Sequence, residues 1–208
     1  MFQSPSNHVM VLPERKYIGN ITTLLKSAAI QNFASVDPSD IVNITGKVIS
    51  VPKMIEKQRD LEGFTTKDIQ PGDIAIFAYN VIYDMIQTET ELPIHRNEIF
   101  WQGKEYFAAH IRHIFGVIRN GEIIMINGHV MVGLFQESKI VLPASMKKIK
   151  GTVKAPVLHI GYPKENEKPI NVFQGDMVYF NPLIAQPYQI NGKPFVIIPQ
   201  SKILGKEV

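Results

Sequence analysis

Residues 129–132 read His129-Val130-Met131-Val132, and the same four letters stand at His8-Val9-Met10-Val11. One such identity carries little by itself; the order of the residues after it, in both places, carries more. Thr45-Gly46-Lys47-Val48 is answered by Lys150-Gly151-Thr152-Val153. Pro71-Gly72-Asp73-Ile74-Ala75-Ile76-Phe77 is answered by Gln174-Gly175-Asp176-Met177-Val178-Tyr179-Phe180. Gln102-Gly103-Lys104-Glu105-Tyr106-Phe107 is answered by Asn191-Gly192-Lys193-Pro194-Phe195-Val196. The landmarks keep their order, at offsets of 121, 105, 103 and 89 residues, so the first copy is longer between landmarks. The chain reads as two copies of one domain, residues 1–120 and 121–208, joined near Asn120-Gly121.

Each copy reads as β. Short runs rich in Val, Ile, Phe and Tyr alternate with Gly, Pro, Asn and Asp, the pattern of a small barrel or sandwich. A Gly-Asp pair precedes both Ile74-Ala75-Ile76-Phe77 and Met177-Val178-Tyr179-Phe180, as suits a tight turn entering a strand. Asp73 and Asp176 at those turns are expected to bond their own backbone. Asn191-Gly192 predicts a hairpin, because a type I′ turn needs positive φ at both central residues. Val117-Ile118 and residues 122–126 flank another Asn-Gly pair, so the connection between copies is expected to be hairpin-like. Residues 21–34 could form a turn or two of helix, but their apolar residues keep no clear 3.6-residue period.

Composition narrows the function classes. The 208 residues are 45% hydrophobic and 20% charged, an ordinary soluble balance. There is no apolar run of the roughly 18–20 residues that span a bilayer and no charged-then-apolar leader, so a cytoplasmic, non-membrane protein is expected. The absence of cysteine excludes disulfides, thiolate nucleophiles and cysteine zinc sites. A net charge of +3 without a dense basic stripe argues against nucleic acid; Lys147-Lys148 with Lys150 reads as a solvated cluster. His110-Ile111-Arg112-His113 reads as strand, where positions three apart face opposite sides, so no metal site is expected. No phosphate-binding loop, dinucleotide fingerprint or nucleophile elbow is present, and no enzyme is expected.

In both copies the longest irregular segment lies between the first strand and the Gly-x-Val strand, 34 residues (12–45) in one and 18 residues (133–150) in the other. Connections of this length inside a compact domain are commonly functional. The second carries Glu137-Ser138-Lys139-Ile140-Val141-Leu142-Pro143. By themselves three aliphatics before a proline favour an edge strand packed into the domain; their place in the long segment of the repeat favours a docking segment instead.

The ordered set resembles the GroES-type co-chaperonins, the lids of chaperonin rings. The second copy carries it best, through Ile140-Val141-Leu142, Gly151-Thr152-Val153, Gly175-Asp176-Met177-Val178-Tyr179-Phe180 and Ser201-Lys202-Ile203-Leu204. The resemblance implies an all-β fold: two tandem GroES-like small β-barrels, each with a long mobile loop and a roof-like hairpin, here residues 53–66 and 163–169. It implies that Ile140, Val141 and Leu142 dock into an apolar groove of a GroEL-type chaperonin. Leu24, Leu25 and Ile30 are their candidate equivalents in the first copy, where a short packed helix explains them as well. The family further implies a homo-oligomeric ring that encloses an unfolded client protein. It implies no cofactor of its own, ATP acting through the chaperonin. The sequence departs from the pattern in its longer first loop without Ile-Val-Leu, its shorter second loop, and Pro143 after the tripeptide. Zinc alcohol dehydrogenases also contain GroES-like barrels, but this chain lacks cysteines and a nucleotide-binding half. The alternative from another class is a structural or assembly protein, for instance a viral one, that reuses the barrel without a chaperonin.

Overall fold

The computed structural model describes residues 4–14, 45–56, 61–78, 80–83, 85–86, 94–95, 97–134, 136–137, 152–190 and 193–207. The first half contains β1 (His8–Pro13), β2 (Thr45–Ser50), β3 (Ile74–Phe77), a one-turn helix α1 (Asn80–Tyr83), and a small pair, β4 (Met85–Ile86) and β5 (Ile94–His95). It continues with β6 (Glu98–Trp101), β7 (Lys104–His110), β8 (Ile114–Arg119) and β9 (Glu122–Met125). The second half contains β10 (His129–Val132), β11 (Gln136–Glu137), β12 (Val153–Ile160), β13 (Met177–Phe180), β14 (Gln186–Ile190), β15 (Lys193–Pro199) and β16 (Ile203–Lys206).

Pairing sorts the longer strands into two antiparallel sheets. The first runs β6-β7-β1-β2-β3-β8-β9, and the second runs β14-β15-β10-β12-β13-β16 with β11 added beside β12. The first six strands of one follow the same order as the six of the other. Irregularities recur at matching places too. The register of β1 on β2 shifts between Met10 and Val11, and that of β10 on β12 between Met131 and Val132. The register of β3 on β8 shifts between Ile76 and Phe77, and that of β13 on β16 between Tyr179 and Phe180. Bulges insert an extra residue and re-aim a side chain, so two halves that place them alike bend their strands alike.

Among the described residues neither path returns to its starting strand. The strands therefore form open sheets where closed barrels were expected. One end of the first sheet is instead occupied by β9, which lies beyond the expected boundary at residue 120 and pairs with β8 through Arg119↔Glu122, Ile118↔Ile123, Val117↔Ile124 and Gly116↔Met125. The hairpin expected between the copies is present: Asn120 and Gly121 take φ of 51° and 84°, the positive values that a type I′ turn requires. Asn191 and Gly192 lie outside the described residues, but β14 and β15 on either side of them pair antiparallel through Ile190↔Lys193. Among the described residues of 53–66 and 163–169 there are turns and irregular backbone but no strand. Prolines at 163 and 169 withhold two of the backbone donors that a strand pair would use. The 110–113 segment also departs from expectation. Strand β7 ends at His110, and Ile111–His113 form a 3-10 turn.

Burial explains which strands are uniformly apolar. Strand β12 alternates, with Val153, Ala155 and Val157 buried and the residues between them half-buried. In β15 the run Phe195-Val196-Ile197-Ile198 is buried throughout, because its two faces meet different cores. Val196 and Ile198 join Val130, Val132, Val178 and Phe180 in the second core. Phe195 and Ile197, with Met131 and Tyr188, join Phe77, Phe107 and Ile114 in the first. A strand covered on both sides needs apolar side chains at every position. The second sheet thus turns one face to its own core and the other to the first half.

Candidate functional site

The segments expected to dock lie between β1 and β2 in the first half and between β11 and β12 in the second. Leu24, Leu25 and Ile30 fall in residues 15–44, and Ile140, Val141 and Leu142 in residues 138–151; all six lie outside the described residues. The described residues do establish where each segment starts and ends. Glu14 N–H donates to the Thr45 carbonyl at 3.1 Å, and Thr45 Oγ1 donates to Glu14 Oε2 at 2.6 Å. Those bonds hold the two ends of the first segment side by side. In the second, β11 pairs with β12 through Gln136↔Lys154 and Glu137↔Val153, and Gly133 N–H donates to the Pro156 carbonyl at 2.8 Å. Both segments therefore leave and rejoin their sheet at one place, at the same point in the strand order.

The turns that lead into β3 and β13 are built alike. Gly72 and Gly175 take φ of 97° and 93°. Asp73 Oδ2 accepts from Gln70 N–H at 2.8 Å, and Asp176 Oδ2 accepts from Phe173 N–H at 3.0 Å, as expected for these aspartates. The sequence did not signal their cations. Arg119 grips Asp73 with Nε on Oδ1 and Nη2 on Oδ2, both at 2.8 Å, and Lys206 Nζ reaches Asp176 Oδ2 at 2.9 Å. Hydrogen bonding from Arg119 holds the Asp73 carboxyl below the usual carboxylate range, against the opposite push of burial. Hydrogen bonding from Lys206 does the same for Asp176. These bonds tie β8 and β16 to the turns that enter β3 and β13.

Where the halves meet, contacts are specific. Asn127 clamps Thr65 from both sides, its Oδ1 accepting from Thr65 N–H at 3.0 Å and its Nδ2 donating to the Thr65 carbonyl at 3.2 Å. Glu165 N–H donates to the Gly63 carbonyl at 3.0 Å, and Lys164 Nζ lies 4.6 Å from the Phe64 ring centre. Phe115 packs edge-on to His129 at 4.9 Å and tilts against Tyr188 at 5.6 Å. His129 Nδ1 lies 3.0 Å from the Ile126 carbonyl, and burial pushes its imidazole down to about 4, so the ring is neutral at physiological pH. Its role is packing at the joint. His8, its partner in the repeat, likewise opens its strand and sets Nδ1 2.6 Å from the Ser6 carbonyl.

His110 and His113 come together with ring centres 6.1 Å apart. Among the described residues no group of three or more His, Cys, Asp or Glu is placed to hold a metal. No helix among them is long and apolar enough to cross a membrane.

No curated protein matches the chain. Residues 122–207, running from the first residue of β9 to the residue after β16, match the family model of the chaperonin 10 Kd subunit, so this β-rich stretch is similar to the GroES-type family.

Proposed function

We propose that the chain is a co-chaperonin built from two tandem GroES-like units, which caps a GroEL-type chaperonin ring while an unfolded client protein folds beneath it. The reading rests on one observation above others. The sheet within the family-matched residues 122–207 and the sheet preceding it share strand order, bulge positions and the attachment point of a long connecting segment. On this reading the protein is not itself an enzyme, ATP acts through the chaperonin, and the chain works in the cytoplasm as a homo-oligomer. Ile140, Val141 and Leu142 dock the second unit, with Leu24, Leu25 and Ile30 as the candidates in the first.

The energetics suit a lid that must come off. Ordering a docking segment costs roughly 1–2 kcal/mol per residue, while burying three aliphatic side chains returns about 1.5–3 kcal/mol each. The terms nearly cancel, so a single segment binds weakly. Several on one assembly bind together, because each later contact is effectively intramolecular. A small affinity change in the partner, multiplied over the contacts, then releases the lid.

The test is to combine the protein with a chaperonin, ATP and a denatured client. A nucleotide-dependent complex and a gain in refolded client are expected, and neither should survive replacement of Ile140, Val141 and Leu142 by serine. Absence of any complex would reject capping and favour an assembly protein that reuses the fold. Binding left unchanged by the triple replacement would reject the assigned docking residues.

A further inference from the structure

A cleft of about 240 Å3 opens at the joint between the two halves. Asn80, His113 and Phe115 line it from the first half, and His129, Tyr188 and Ile197 from the second. Phe115 reaches it because it is the extra residue of a bulge: Ile76 faces Gly116, and Phe77 faces Ile114. The matching bulge on β16 sets Tyr179 opposite Gly205 and Phe180 opposite Ile203, and its extra residue, Leu204, is 52% exposed. The cleft thus belongs to the joint and to neither half alone.

Two acceptors in its wall lack donors. A carbonyl only accepts, so the contact of His129 Nδ1 with the Ile126 carbonyl at 3.0 Å puts the ring proton on Nδ1. Nε2 is then a bare acceptor on a residue only 8% exposed, and it has no hydrogen bond among the described residues. Asn80 Oδ1 is buried and likewise has none among the described residues. Most buried side-chain polar atoms in folded proteins are paired, and two orphaned acceptors in one wall call for a donor from outside the chain.

The rest of the wall decides what carries that donor. Among the described residues no Asp, Glu, Lys or Arg lines the cleft, so a charged ligand would shed its water with no opposite charge to meet it. Water alone would answer the acceptors and leave the rings wet. The Phe115 ring centre lies 4.9 Å from that of His129 and 5.6 Å from that of Tyr188, within the spacing at which aromatic rings attract one another. One more ring extends that cluster. The volume suits a single ring with a short substituent, since a cavity of about 150 Å3 holds benzene.

We infer that the cleft binds a small uncharged aromatic molecule carrying an O–H or N–H donor, which bonds His129 Nε2 and lies against Phe115 and Tyr188. The Asn80 carboxamide turns about χ2, a soft torsion, to accept a second donor where the ligand has one. Because the walls come from both halves, only the assembled joint binds the molecule, and binding stabilises that joint by mass action.

Phenol is the probe, and toluene, of the same shape without the donor, is the control. Added to the full chain, phenol should move the His129 ring resonances saturably. Toluene should bind about tenfold more weakly, the worth of one hydrogen bond. His129→Leu keeps the wall apolar without the acceptor and should erase that preference. Ile184→Trp, at a half-buried residue of the lining, should exclude both molecules with its circular dichroism unchanged. No saturable shift at His129, equal affinity for phenol and toluene, a preference that survives His129→Leu, or wild-type binding by Ile184→Trp overturns the inference. The first two are read on the wild type, so they decide the matter even where a variant fails to fold. No chaperonin enters these measurements, so their failure leaves capping open, and failure to cap leaves the cleft standing.

Discussion

Acid should loosen the joint between the two halves through His129. Its imidazole is buried, held against Phe115 and bonded to the Ile126 carbonyl, and burial lowers it from 6.5 to about 4. Between those values the unfolded chain binds a proton at this position that the folded chain refuses. Stability is therefore complete above the unfolded value and is lost as pH falls from 6.5 towards 4. At about 1.36 kcal/mol per pKa unit the loss approaches about 3 kcal/mol near pH 4, and it is about 2 kcal/mol at pH 5. The comparison must isolate this one group. His129→Asn keeps an N–H at the Nδ1 position but cannot be protonated. The variant should be less stable at pH 7.5, having lost the ring that packs on Phe115. Between pH 7.5 and pH 5, however, it should lose about 2 kcal/mol less than the wild type. Urea unfolding followed by far-UV circular dichroism at the two pH values measures both slopes. Equal slopes, or a His129 resonance that titrates near 6.5, would refute the argument.

Two further outcomes are expected from the same contacts. Asn127→Ala removes both bonds to Thr65 and should lower stability by about 1–3 kcal/mol; amide exchange at Thr65 should quicken while exchange in β12 and β13 stays slow, and uniform quickening would count against a local clamp. Gly72→Ala and Gly175→Ala should each cost about 1–3 kcal/mol, from backbone conformation alone, because an added Cβ meets nothing within 4 Å at either site. Similar losses in urea titrations are expected, and a large difference would argue that the two turns are not doing the same job.

Much of the strand inventory was legible in the sequence. His8-Val9-Met10-Val11 and its echo at 129–132 are the cores of β1 and β10, and the runs after Gly72-Asp73 and Gly175-Asp176 are β3 and β13. The Asn-Gly pair at 120–121 makes its turn, and both aspartates bond the backbone just before them. These succeed because each is a local matter of φ, β-branching or a side chain reaching three residues back. The 3-10 turn at Ile111–His113 was missed, since β-rich composition continues through a segment whose path is bent by its neighbours. The cations of Asp73 and Asp176 sit 46 and 30 residues away, beyond any periodic signal. The six candidate docking residues lie outside the described residues, so their role is carried by the sequence alone.

By itself the sequence determined where the chain extends and where it turns, because glycine, asparagine, proline and β-branched residues act on their own backbone. Only the tertiary structure decided that β9 completes the sheet before it rather than the one after, and that Phe115 packs across the joint while Leu204 is left exposed. The physical reason is that a strand edge presents the same N–H and C=O groups whatever its residues are. Which edge is filled depends on the position of the next segment in space, and no residue type spells that out.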